Sequence, residues 1–507
     1  MGLVSSPITF VAVGALLSYL IFSRVQLYLN RRSFIKQHGC EPCPKRYNKE
    51  PIIGYDVLKE TIANFNERKM LERNQKRYRD MGVNTFLTKI QFRPMIATCE
   101  PENVKAVLSK NFKDYSLGNR NHSFGPLLGD GIFNSDGEKW ANSRHLLRPN
   151  FARDQIADLE AFDRHFRLMM KKIPKDGSIV DLQHLFFQMT IDSATEFLFN
   201  HSTDSLRMSE DDVNNEDAIF ARAFMFAQED IIHRDRWGFL NFLRPNKEGK
   251  DAIKICHTYV DKFVDQAIRE HQAEMAAGKA DNERYIFIKE LVKQTQDKER
   301  IRNELMNILL AGRDTTASLL SNMFFQLALR PDIWAKLREE VAPLEGRLPT
   351  YEELKNMKYL KWCMNESLRL HPVVPSNSRF AIKDTVLPIG GGPSGTAPLF
   401  VPKGTVVSYS PYAMHRREDL YGPDAAEFKP ERWETLRPGW EYLPFNGGPR
   451  ICLGQQYALT EAGFVTVRLL QAFSKIESRD PKGGVWEESL TLTLCSANGC
   501  QVSLTPA

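Results

Sequence analysis

A mainly helical body with a minor β part, preceded by one membrane-crossing helix, is the fold class this sequence predicts. Three observations carry the prediction. No charged side chain occurs from Gly2 to Ser23. Helix-type patterning then dominates most of the chain up to Pro372. Strand-like alternation is confined to 86–97, 378–410 and the runs 474–479, 490–495 and 500–505. No repeat and no convincing internal linker divides the body. The expected organisation is an anchor over 1–23, a basic juxtamembrane linker over 24–50 and one domain over 51–507.

The anchor comes first. Ile8 to Phe22 is apolar apart from Thr9, Ser18 and Tyr19, and an apolar helix of about 20 residues covers a hydrocarbon core of roughly 30 Å. Ser6-Pro7 suits a helix start, because serine can cap and proline at the first position wastes no N–H. Thr9 and Ser18 can return their hydroxyls to backbone carbonyls. Arg24, Arg31, Arg32 and Lys36 follow the span and nothing basic but the amino terminus precedes it. That asymmetry predicts a lumenal N-terminus and a cytosolic body. A cleaved signal peptide would need a basic leading region and small residues at a cleavage site; the sequence offers neither.

Hydrophobic residues make up 42% and charged residues 26%, enough for a large core under a solvated surface. Lys+Arg 68 against Asp+Glu 63 leaves +5, too little over 507 residues to argue for nucleic acid. Eight cysteines do not make a disulfide scaffold, and Cys40-Glu-Pro-Cys43 lacks the second pair of a zinc site. Residues 52–81 read as helical around Leu58, Ile62 and Phe65, and Phe86–Thr88 with Met95–Ala97 as a hairpin. A helix should start near Pro101. Residues 115–137 read as a long Gly- and Asn-rich loop before a helix carrying Trp140 and Arg144, and acidic 204–217 as a solvated loop. Two helices are expected over 331–371 and one over 454–472. The glycine-rich stretch Gly390–Gly395 lacks the Lys-Ser/Thr of a phosphate loop and reads as a hairpin extension.

The sharpest local signal is Phe445-Asn446-Gly447-Gly448-Pro449-Arg450-Ile451-Cys452-Leu453-Gly454. Glycines and a proline force a tight excursion before one cysteine, and a helix starting near Gly454 directs its positive end at the sulfur. That favours thiolate over thiol. Such a thiolate serves as a nucleophile or as an axial haem ligand; no histidine is placed locally to act as the base a nucleophile needs.

These residues resemble a known family. Phe445, Gly448, Arg450, Cys452 and Gly454 match the haem-cysteine signature of the cytochrome P-450 family. Glu366-Ser367-Leu368-Arg369 is similar to its Glu-x-x-Arg helix, and Pro430-Glu431-Arg432-Trp433 to its following Pro-Glu-Arg segment. Ala311-Gly312-Arg313-Asp314-Thr315-Thr316 resembles the oxygen-activating stretch of its long central helix. The resemblance implies the cytochrome P-450 fold after the anchor, with haem b held by the Cys452 thiolate. It implies that Ala311 and Gly312 border the haem, that Asp314 and Thr315 deliver protons, and that Arg313 has no chemistry. Arg450, Trp140 and Arg144 would hold the haem propionates, with Arg379 a further candidate. Glu366, Arg369 and Arg432 would form a buried structural triad whose loss costs haem.

The implied reaction is monooxygenation of a C–H bond. No dinucleotide or flavin motif occurs, so a separate NADPH-dependent flavoprotein reductase is the expected partner, at the endoplasmic-reticulum membrane. The stretch Leu128–Trp140 with Leu147–Phe151, and the insertion Gly390–Phe400, resemble the fungal alkane- and fatty-acid-hydroxylating subfamily. That implies terminal hydroxylation of a long apolar chain, against two alternatives: a secondary-metabolite or xenobiotic hydroxylase, and a non-catalytic haem carrier or sensor. Phe124, Leu127, Leu128, Phe220, Phe224 and Phe226 are the candidates for an apolar channel, with ordinary core packing as the other reading.

Overall fold

The computed structural model describes residues 7–46, 48–50, 52, 54–90, 92–151, 159–209, 212, 214–277 and 285–507. Their contacts sort into two units. The first gathers residues 1–60, 76–116 and 378–409; the second gathers 61–75, 117–377 and 410–507. No linker in the sequence marks this division, because each unit is assembled from segments far apart in the chain.

The first unit begins with one helix, Pro7–Gln37. It runs well past the charge-free stretch, so the first half of the expected 24–50 linker is helical. The reason is local: no proline or glycine occurs between Gly14 and Gly39, and nothing stops the helix where the charges begin. A bond from Cys40 N–H to Ile35 O (2.9 Å) closes its end. Thr9–Gln37 is long and apolar enough to cross a membrane. Residues 2–6 of the expected span lie outside the described residues. The hairpin Thr85–Ile90/Arg93–Thr98 pairs Phe86 with Ala97, and its second strand runs parallel to Val406–Tyr409 in a five-stranded sheet. A separate hairpin, Thr385–Gly391 with Ala397–Val401, carries the glycine-rich stretch at its end.

The second unit is organised by the helix Lys298–Leu329. Asp297 caps it by accepting from Arg300 N–H (3.2 Å), and Pro331 lies just beyond its end. Two apolar clusters form along it. One uses Ile301–Leu310 with Leu128, Phe220, Tyr259 and Val260. The other uses Ala317–Ala328 with Phe186, Trp334, Leu360 and Phe464. Ala311–Thr316 belongs to neither. From Asn303 to Phe325 every residue is buried except Ala311, Gly312 and Thr315. Those three share a face at i, i+1 and i+4, so the helix opens on one side in the gap between its two cores.

Three expectations are corrected here. Residues 115–137 are not one loop: Arg120–Leu128 is helical despite Gly125 and Pro126. Tertiary contacts outweigh propensity there. Leu127 and Leu128 are buried, His257 Nε2 meets Leu127 O (2.8 Å) and Asn307 Nδ2 donates to Leu128 O (3.0 Å). Residues 331–371 form three helices, Pro331–Val341, Tyr351–Asn356 and Lys358–Leu370, because Thr350 and Glu353 make a capping box that starts an extra turn. The single C-terminal strand expected at 490–495 is a small hairpin, Glu488–Leu490 with Leu494–Ser496.

Candidate active site around Cys452

The cysteine loop is held by its own backbone. Cys452 N–H donates to Phe445 O (3.0 Å) and Ile451 N–H to Gly448 O (3.1 Å), closing a turn over Gly448–Arg450. The helix Gln455–Ala472 follows directly, with Gly454 at its N-cap and no side chain capping it. Cys452 is solvent-accessible, yet its sulfur is enclosed by protein on most sides. A cavity of about 460 Å³ opens there, lined also by Arg148, Pro149, Phe151 and Leu453. Desolvation raises the thiol's pKa, while the Gly454 N–H and Arg144 act to lower it. The helix end alone therefore does not deliver a thiolate, as the sequence had suggested; that requires a positive partner at the sulfur.

The expected cationic set does converge on this loop. Arg144 Nη1 donates to Ile451 O (2.9 Å). Arg450 Nη2 donates to Ser135 O (2.9 Å) and Asp136 Oδ1 (2.7 Å), and its guanidinium carbon lies 4.4 Å from the Trp140 ring centroid. Phe445 packs on the C-terminal apolar cluster, and Gly454 lies against Phe151, 3.6 Å from where a Cβ would stand. Arg379 belongs to the other unit, where it is buried and donates to Ser378 O (2.8 Å).

The central helix is joined to the cysteine helix through Ser193 and Ala194. A Cβ on Gly312 would lie 3.4 Å from Ala194 Cβ, and Ser193 Oγ is 3.1 Å from Tyr457 OH. Glu461, on the same helix as Tyr457, is buried beside Ser193 and Thr316; desolvation pushes its carboxyl up to about 7 against both hydroxyls. Thr315 Oγ1 donates to Ala311 O (2.7 Å), the back-bond its position allowed. Asp314 is buried and pairs with Arg313 Nη1 (2.7 Å). Burial raises the Asp314 carboxyl and Arg313 opposes the rise. The Gln228 amide, oriented to satisfy both, donates to Asp314 Oδ2 and accepts from Arg313.

Glu366 is the most heavily bonded carboxylate of the site. It accepts from Arg369 Nε and Nη2 (2.9 Å each), Arg432 Nε (2.8 Å), Lys429 N–H (2.9 Å) and Trp433 Nε1 (3.0 Å). Glu366 and Arg369 are both completely buried. Arg369 also donates to the carbonyls of His415 (2.8 Å), Ala425 (2.6 Å) and Glu427 (2.9 Å). His415 continues the chain: its Nδ1 faces Arg369 O (3.2 Å) and its Nε2 accepts from Leu443 N–H (2.9 Å). Those partners set the Nδ1–H tautomer, and burial with Arg369 nearby lowers its pKa to about 3. The triad is thus bonded to the backbone two residues before Phe445.

Sequence reasoning missed several of these groups. Arg313 had been given no role. Trp433 and the Lys429 N–H complete the Glu366 shell, and a tryptophan directly after Pro-Glu-Arg was the available signal. Asn303 and Asn307 seat the Leu128–Gly131 turn: a Cβ on Gly129 or Gly131 would come within 2.1 Å of them, and Asn307 Oδ1 accepts from Phe133 N–H (3.2 Å). Among the channel candidates, Phe220 and Phe224 are buried in an aromatic stack with Tyr259, Leu127 and Leu128 are core, and Phe124 packs at its edge. Phe226 is corrected: it is 40% exposed, since two helical steps rotate it about 200° away from Phe224.

Comparison with known proteins agrees with this geometry. The Cytochrome P450 family profile matches residues 51–487. The chain is 50% identical over 471 residues to Cytochrome P450 monooxygenase himC of Aspergillus japonicus, covering 92% of this chain and 84% of that one. It is 46% identical over 515 residues to Cytochrome P450 monooxygenase fsdH of Fusarium heterosporum, covering 99% and 90%. It is 44% identical over 514 residues to Cytochrome P450 52A13 of Debaryomyces hansenii, covering 98% and 97%. The residues present fit a haem: an accessible cysteine in an enclosed loop, half-buried Arg144 and Trp140 beside it, and a helix face cleared of bulky side chains at Ala311 and Gly312. With the cysteine loop, the Glu366 network and the opened central helix all in place, the chain belongs to the cytochrome P450 family of haem-thiolate monooxygenases.

Proposed function

We propose that this monooxygenase hydroxylates the terminal carbon of long-chain n-alkanes or fatty acids. We further propose that it sits in the endoplasmic-reticulum membrane with its catalytic part cytosolic and takes electrons from an NADPH-dependent flavoprotein reductase. The observation that carries the substrate reading is the opening at Ala311, Gly312 and Thr315 between two apolar clusters. An uncharged chain end can enter such a gap without leaving a polar group unpaired. The resemblance of 128–151 and 390–404 to the alkane and fatty-acid hydroxylases supports it. A second reading is a secondary-metabolite or xenobiotic hydroxylase, since an uncharged gap also admits apolar ring compounds.

In this reading the Cys452 thiolate would hold the haem iron, and Arg144, Arg450 and Trp140 would hold the propionates. Bound there, haem would supply the oxygen chemistry by which one atom of O2 enters the substrate C–H bond and the other leaves as water, using two electrons from the reductase and two protons. Thr315 contributes a hydroxyl to the opened face and, with its own proton on Ala311 O, is free to accept a hydrogen bond from a water there. Asp314 lies one residue back, poised by burial towards the neutral form and by Arg313 towards the anion, so that it both takes and gives a proton. Arg313 and Gln228 position it.

Two outcomes follow. Each methylene added to the substrate should tighten binding about fourfold, since burying one CH₂ is worth about 0.8 kcal/mol, until the channel is full. A spectral titration over graded chains measures this, and preference for polycyclic compounds with no dependence on chain length would favour the second reading. Thr315→Ala should keep haem and substrate binding but lower product formed per NADPH about tenfold, with the difference appearing as hydrogen peroxide. Equal coupling in variant and parent would remove Thr315 from the proton path.

A further inference from the structure

The glycine-rich hairpin takes no part in the chemistry above, and its neighbours give it another use. We infer that the hairpin Thr385–Gly391/Ala397–Val401 is the dock that clamps the cytosolic end of the anchor helix, so that the tilt of the span passes to the first unit without a hinge. The inference rests on the reading of Pro7–Gln37 as a membrane anchor. Arg31 grips Asp384 through both arms of its guanidinium, Nε to Oδ2 and Nη2 to Oδ1, each 2.9 Å. The two side chains are 29% and 25% exposed. Asp384 also accepts from Lys403 N–H (2.6 Å), which fixes it to the base of the hairpin. Phe34, nearly one turn on from Arg31, lies against Phe400 with ring centroids 5.6 Å apart, and the Arg31 guanidinium is 5.9 Å from the same ring.

The chain leaving the helix is then bonded to the hairpin's backbone. Glu41 N–H donates to Pro398 O (2.9 Å) and Gly392 N–H to Pro42 O (2.9 Å). These contacts explain the glycines. A Cβ on Gly391 would stand 2.8 Å from Glu41 O, and one on Gly392 2.4 Å from Glu41 Oε2. Side chains there would push the trailing segment off.

A lone exposed ion pair contributes little. Here a two-pronged pair, a ring contact and two backbone bonds act on one short stretch. Arg24 is the first charge after the span. Arg31 lies seven residues further, about 10 Å along a helix, just beyond a headgroup layer of roughly 5–7 Å. The dock therefore engages the helix as it emerges from lipid, before it could bend. With no glycine or proline between Arg24 and His38, the connection is stiff.

The test uses the full-length protein in phosphatidylcholine vesicles and three variants: Arg31→Glu, Asp384→Arg, and the exchange of both. Haem content and retention after a carbonate wash are measured first, then the rate of tryptic cleavage at Arg32, Lys36, Lys45 and Arg46. Each single variant should be cut about tenfold faster in this segment, because cleavage follows local opening, and the exchange should restore the parental rate. Haem content and retention should not change. Single variants cut at the parental rate, or an exchange cut as fast as they are, would overturn the dock. If Asp384→Arg lost haem, Arg31→Glu, which changes only the helix surface, would decide alone. Failure of the parent itself to resist carbonate would overturn the anchor reading and the dock with it.

Discussion

Cys452→Ser is expected to abolish the red-shifted carbon monoxide band of the reduced protein and all oxygenase activity, while the chain stays folded. The bonds that shape the loop run from Cys452 N–H to Phe445 O and from Ile451 N–H to Gly448 O, and neither involves the sulfur. A serine hydroxyl fits the same space but does not ionise near neutral pH, so the electron-rich axial ligand is lost. Near-parental thermal stability of the apoprotein, with no thiolate band in the carbon monoxide difference spectrum, is the expected pair of readings. Persistence of that band would place the ligand elsewhere.

Glu366→Gln should be the most damaging substitution for stability. Glu366 accepts five hydrogen bonds in a site with no exposure, from two guanidiniums, an indole and a backbone N–H. Glutamine keeps one acceptor oxygen, turns donor against donor at the other, leaves Arg369 buried without a counter-charge and leaves Arg432 with Asp424 alone (3.0 Å). Breaking a buried pair in this way costs about 3–5 kcal/mol, a large share of the roughly 5–15 kcal/mol that holds a domain. Because Arg369 O and His415 tie this network to Leu443, the cysteine loop should loosen with it. The expected result is a protein with little haem and a strongly lowered Tm. A variant with parental haem content and Tm would show that the network is not needed to hold the loop.

Much of this site was legible because its residues lie close together in sequence. Cys452, Arg450 and Gly454 share one loop, and Glu366 with Arg369 one helix face. Thr315 and Ala311 are one turn apart, so their hydrogen bond followed from spacing alone. What the sequence hid depends on long-range contact. Asn307 meets the Phe133 backbone across 174 positions, and no local pattern announces such a bond. Arg313 gave no signal either: a charged residue in a helix ordinarily faces water, and only the fold shows it buried against Asp314, Gln228 and the Phe187 ring, 5.2 Å away. Phe226 was misplaced because a cluster of phenylalanines was read as one surface, although helical rotation separates it from Phe220 and Phe224. The apolar stretch is legible from its missing charges, but the helix runs on to Gln37, since charge marks where lipid stops and not where a helix stops.

The regiochemistry of one product tests the central claim most directly. Purified full-length protein with a flavoprotein reductase and NADPH would be given hexadecane or hexadecanoic acid under ¹⁸O-labelled oxygen, and the product mapped by mass spectrometry. A primary C–H is the harder one to attack, so terminal selectivity has to come from a channel that presents only the chain end within roughly 3–3.5 Å of the reacting oxygen. The account predicts a terminal alcohol carrying one labelled oxygen. A hydroxyl confined to interior carbons, or an alcohol whose oxygen came from water, would contradict it.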